Sequence, residues 1–247
     1  MNAGDHISDI TSLKNDVIKS KNVDPPEQFQ VLSKTFPLIF QAVKATNVSN
    51  LYRTNACDAL SIWFARSQQL VSKNPLFKDE FMNFFPEESA DFTFHYVIDF
   101  WNDSGAALGN ALKEMFTKMV GYLTSIFHED ESELIFKRWL SEALDLPYTM
   151  RALYFMVEHL HKRVRQVDYI FQVKPNFIVN CLENIWSKAL SSIIGKAVFL
   201  VLRYCYSKDS ESEWLSLWED HLIELLEHDD LRKGIESYLL PNLFQLS

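Results

Sequence analysis

The nearest approach to a metal cluster in the sequence is Glu158-His159-Leu160-His161. Imidazole nitrogens and carboxylate oxygens are zinc donors only when they converge on one point. The apolar spacing around this tetrapeptide predicts a helix, and helical residues two apart point about 160–200° away from each other, so His159 and His161 cannot grip one ion. The reading is one partly buried and one exposed histidine, with no metal. His128-Glu129-Asp130-Glu131 gathers carboxylates but lacks the spaced oxygens and central glycine of a calcium loop. Acids there suit the solvated start of a helix, whose unpaired N–H groups carry partial positive charge.

Charge is unevenly distributed. The run His161-Lys162-Arg163-Val164-Arg165, with Arg151 upstream, stands out in a chain whose net charge is −9. One reading of Arg151, Lys162, Arg163 and Arg165 is a patch for RNA phosphate or for an acidic partner. The other is a cationic helix C-terminus facing water, favoured by the helix dipole. Conversely, Asp209 to Asp230 holds nine acids and neither lysine nor arginine. It reads most simply as a solvated face; the alternatives are that it repels nucleic acid there or meets a basic partner.

Motifs for common enzyme chemistry are missing from the sequence. Six scattered glycines form no P-loop and no GxGxxG, and neither GxSxG nor HExxH occurs. No strand block with a Gly-rich first turn is present to seat a methyl-donor cofactor. We therefore expect a protein that is not an enzyme and needs no cofactor. Cys57, Cys181 and Cys205 sit far apart in apolar helical patterns, as buried thiols of a reducing compartment do. The opening Met-Asn-Ala-Gly-Asp-His has no signal-peptide character, and the longest apolar run, Ala197 to Leu202, is far short of the ~18 residues that span a bilayer. The expected location is cytoplasmic, without membrane contact.

The elements that must position these residues are helices. Scarce glycine and 14% aromatic content favour helices joined by short connections and packed through bulky side chains. Residues 5–20 read as a short polar helix, with 1–24 loosely ordered. Pro25-Pro26 opens a helix to about Ala45, within which Pro37 should make a kink or break. Asn50 is read as the N-cap of a helix with Leu51, Ala56, Leu60, Trp63, Phe64, Ser67, Leu70 and Val71 on one stripe. A short phenylalanine-rich helix lies between Pro75 and Pro86, then helices at 89–101, about 108–127 and 133–144, with His128–Glu133 as a turn. Five more follow to residue 246. Helix pairs recur about every 40 residues, the length of HEAT and armadillo units. The expected fold is all-α, an armadillo/HEAT-like helical repeat (α-solenoid) running over 1–247 as one region.

Three stretches carry a family resemblance: Pro147-Tyr-Thr-Met-Arg-Ala-Leu-Tyr-Phe-Met-Val-Glu158 with Val173-Lys-Pro-Asn-Phe-Ile-Val-Asn-Cys-Leu182; Tyr96-Val-Ile-Asp-Phe-Trp-Asn-Asp103; and the Trp214…Trp218 helix with Tyr238-Leu-Leu-Pro-Asn-Leu243. Together they resemble the helical-repeat region of the thyroid adenoma-associated protein family, which includes the fungal accessory subunit of a tRNA anticodon-loop 2′-O-ribose methyltransferase. The resemblance spans roughly residues 50–247 and rests on spaced apolar, Pro and Trp positions. It implies a non-catalytic scaffold whose partner is the methyltransferase catalytic subunit, with tRNA met through the complex. Family members are longer, and their Arg-Arg-Ser-Ala-Gly type motif has no match here, so no functional residue is carried over. The chain looks like an amino-terminal portion or a truncated relative. Its last helix pair keeps Trp214, Tyr238, Leu239, Leu243 and Phe244 apolar where a terminal repeat should be polar. These five are the candidate partner-facing surface. The alternatives are a general protein-interaction scaffold in transport or complex assembly, and an all-helical enzyme whose site forms no sequence motif.

Overall fold

A computed structural model describes residues 3–101 and 105–145. Arg151, Lys162, Arg163, Arg165, Trp214, Tyr238, Leu239, Leu243 and Phe244 lie outside the described residues, as do His159, His161, Cys181 and Cys205. The described residues form seven α-helices: α1 (Ala3–Lys19), α2 (Pro25–Lys44), α3 (Asn50–Lys73), α4 (Lys78–Phe84), α5 (Glu87–Trp101), α6 (Ala106–Ile126) and α7 (Glu129–Asp145). No strand occurs among them, so this part of the fold is all-α. The chain divides into two compact units, Met1–Ser132 and Glu133–Ser247.

Local chemistry sets the helix starts. Asp24 caps α2, its side chain accepting from Glu27 N at 2.9 Å, and Pro25-Pro26 occupy the first turn, where a missing N–H leaves nothing unpaired. Pro37 does not break α2, which runs unbroken over 20 residues. Proline is on the exposed face, while Phe36, Ile39 and Phe40 beside it are buried and hold both halves of the helix to the core. The cap of α3 is Ser49, not Asn50: its hydroxyl accepts from Tyr52 N at 3.2 Å, and Asn50 is already helical. Leu51 consequently falls in the first turn and is exposed rather than on the buried stripe. The acids at 129–131 are the first turn of α7 rather than a preceding turn, and Glu131 reaches back to accept from His128 N at 3.2 Å. That is one half of a capping box.

Helix α1 differs most from its sequence reading. It is a 17-residue helix whose inner face carries Ile10 at 2% and Val17 at 0% exposure, and it packs on α3 and α2. Lys14 Nζ meets Asp58 Oδ2 of α3 at 3.1 Å. Polar residues around the helix mask a narrow apolar stripe of widely spaced positions.

The core of the first unit gathers on α3. Trp63 is fully buried among Phe36 of α2, Phe81 of α4 and Tyr122 of α6, with ring centroids 4.6, 5.8 and 5.5 Å away. Its indole N–H donates to Leu32 O at 2.9 Å, and the Tyr122 hydroxyl donates to Phe81 O at 2.6 Å. Each aromatic thus buries its ring while satisfying its polar end on another helix. Phe85 lies edge-on to Phe36, Phe40, Phe64 and Tyr122. Where α3 and α6 approach, Gly121 leaves room for Gln68, whose amide donates to Ser125 Oγ at 2.9 Å; a Cβ there would stand 3.3 Å from Gln68 Oε1. The part of α7 that falls in the second unit buries Ile135, Phe136 and Trp139 and carries the half-buried ion pair Lys137–Glu133 at 2.8 Å.

Candidate functional site

Helix α5 carries aromatic residues every fourth position, Phe92, Tyr96 and Phe100, which places them in one row along the helix. Their ring centroids are 6.1 and 4.8 Å apart. Each end of the row carries a cation from another helix. Lys44, in the last turn of α2, holds its ammonium 5.1 Å from the Phe92 centroid and 4.3 Å from Phe40. Arg53, in the first turns of α3, lies 4.2 Å from the Phe100 centroid and donates from Nη1 to the Tyr96 hydroxyl at 3.5 Å. The negative faces of the rings attract these cations. Lys44 is exposed and has no carboxylate partner among the described residues, so its remaining donors point to solvent.

Beneath the row lies Cys57, fully buried on α3. The Tyr96 hydroxyl, which accepts from Arg53, neighbours the Cys57 thiol closely enough for each to affect the other's ionisation. Burial, reinforced by the neighbouring Asp58 carboxylate, pushes the thiol up to about 12, although the Tyr96 hydrogen bond and Arg53 act the other way. Burial also pushes the Tyr96 phenol up to about 12, with Cys57 adding to the rise and Arg53 opposing it. Tyr122, deeper still, is raised well above its ordinary value by burial alone. Thiolate, not thiol, is the nucleophile. With its thiol pushed up, Cys57 stays protonated at ordinary pH, and the cluster joins α2, α3 and α5. What it presents outward is a cation on an aromatic bed.

Among the described residues, no group of three or more His, Cys, Asp or Glu side chains could hold a metal ion. No helix among them is long and apolar enough to cross a membrane. Sequence reasoning singled out neither the α5 row nor its cations. The aromatic spacing of four was visible in the sequence, but nothing local indicates that Lys44 and Arg53 approach from two other helices. The basic patch and the apolar closing surface, which were singled out, fall beyond residue 145 and outside the described residues. No protein-family model matches the chain, and no solved structure matches it.

Proposed function

We propose that the protein is a helical scaffold of the armadillo/HEAT type that binds another protein, and that the partner is the catalytic subunit of a tRNA 2′-O-ribose methyltransferase. The observation that carries the scaffold reading is the stacking in the first unit. Helices α1 and α2 pack together on α3, and α6 makes its main contact with the same helix. Helices thus bury one another's apolar faces around α3, the kind of all-helical packing on which the scaffold reading draws. The groups buried at the α3–α5 contact hold their protons and serve packing, which suits a protein that binds rather than catalyses. The choice of partner draws on the resemblance of residues 50–247 to the thyroid adenoma-associated family.

The test is affinity purification of the tagged full chain from its own cells, followed by mass spectrometry and by mapping of ribose methyls in tRNA. A Rossmann-type methyltransferase should co-purify, and deletion of the gene should remove a 2′-O-methyl in the anticodon loop. Intact anticodon-loop methylation after deletion would sink the tRNA reading. Recovery of an unrelated complex would direct the scaffold to transport or assembly instead.

A further inference from the structure

The outer faces of α1 and α2 leave a groove between them. It consists of two cavities of about 820 and 400 Å³ that share Leu13 and Leu38. Val48 and Tyr52 continue the apolar lining at one end, over a floor of the buried Ile10 and Ala42, and Val23 and Val31 at the other. Leu38, midway along, is 51% exposed. Such a side chain loses burial energy as it stands and regains it only when covered. From Asp9 to Lys19 the groove follows α1 for roughly 15 Å, which is about three helical turns.

Charge at the two ends is opposite. The larger cavity has Asp9 as its one charged lining residue; the smaller has Lys19 and Lys34 against the single carboxylate Asp16. We propose that this groove takes an amphipathic helix of a partner protein, about three turns long, with its N-terminus at Asp9 and its C-terminus at Lys19 and Lys34. The long walls are the helices α1 and α2, with the 45–49 segment closing one end, so an extended peptide finds no strand edge to join along them, whereas a helix brings its own hydrogen bonds. The unpaired N–H groups of its first turn are favoured beside a carboxylate, and the free carbonyls of its last turn beside ammonium groups. The fitting sequence carries Leu-type residues at i, i+3 or i+4, and i+7, with bases in the first turn and acids in the last. The tRNA reading neither needs this groove nor predicts it, and failure of one leaves the other standing.

The probe is a labelled synthetic peptide of about 14 residues with that pattern, titrated with the full chain and read by fluorescence anisotropy. The expected result is saturable binding that Leu38→Glu weakens about tenfold or more, by placing a charge in the apolar midpoint. Swapping the charges of the peptide's two ends should weaken binding several-fold, and Lys34→Glu should recover part of that loss. Circular dichroism melting of both variants should match the parent, because both side chains are exposed. Should Leu38→Glu fail to fold, the charge-swap comparison on the parent and on Lys34→Glu decides alone. Absent binding, equal binding by Leu38→Glu, or indifference to the charge swap would overturn the proposal. So would a dimer of the chain, seen by sedimentation, that Leu38→Glu abolishes and the peptide cannot displace.

Discussion

Cys57 and Tyr96 show how a chemically capable pair becomes structural. Both are acids whose neutral form the fold prefers: the thiol moves from 9.0 to about 12 and the phenol from 10.0 to about 12. An acid that ionises less readily in the folded state contributes stability that is complete below its unfolded pKa. That contribution then falls as pH rises toward the folded value. Stability from this pair should be constant up to about pH 9 and decline between 9 and 12, a decline that Cys57→Ala with Tyr96→Phe should shallow. Burial also shields the thiol. At pH 8 the folded protein should leave Cys57 unmodified by iodoacetamide, with full modification in urea, as read by peptide mass mapping. Alkylation of Cys57 in the folded chain at the rate of a free thiol would show that the α3–α5 contact opens readily.

At the scale of elements, α1 is the informative case. Its inner residues are fully buried while its outer residues border a groove, so the two faces should respond differently to truncation. Ile10→Ala removes buried methylenes and leaves a void, and should cost about 2–3 kcal/mol. Leu38→Ala, on the exposed wall opposite, should cost less than about 0.5 kcal/mol. Thermal melts of the two variants give the comparison, and equal small losses would mean that α1 is not docked. The boundaries of α2, α5 and α6 were legible in the sequence because proline punctuation and period-3.6 apolar spacing act within one helix. The docking of α1 was not, because Ile10 and Val17 stand seven apart among polar neighbours and gain their meaning from α3. The same holds for Ser49 against Asn50, where two good capping residues adjoin and the geometry of the turn decides. The continuity of α2 through Pro37 was equally hidden, since burial of Phe36, Ile39 and Phe40 against other helices outweighs the local cost of proline. The α5 row was half legible: its spacing lies in the sequence, but its cations are brought by tertiary packing.

For the whole molecule, the proposed role raises the question of what a chain of net charge −9 would bring to an RNA-directed complex. Phosphate contacts dominate affinity for nucleic acid and release counterions, so an acidic scaffold must either confine its cations to one patch or leave RNA to its partner. Arg151, Lys162, Arg163 and Arg165 are the concentration of positive charge that the sequence offers for the first route. Reversing Lys162, Arg163 and Arg165 to Glu discriminates between the two. If the patch meets phosphate, tRNA binding by the purified complex should fall tenfold or more, and the dependence of log K on log salt should flatten by about one unit per lost contact. If the patch meets an acidic surface of the methyltransferase, co-purification of that subunit should fall instead, while the salt slope for tRNA keeps its value. Both readings put the patch at the surface, so in both cases the melting temperature should stay within about a degree, surface charge replacements seldom altering stability by more than about 0.5 kcal/mol. Unchanged tRNA binding together with unchanged co-purification would reduce the run to a helix end in water, and the scaffold would then have to recognise its partner through apolar surface alone.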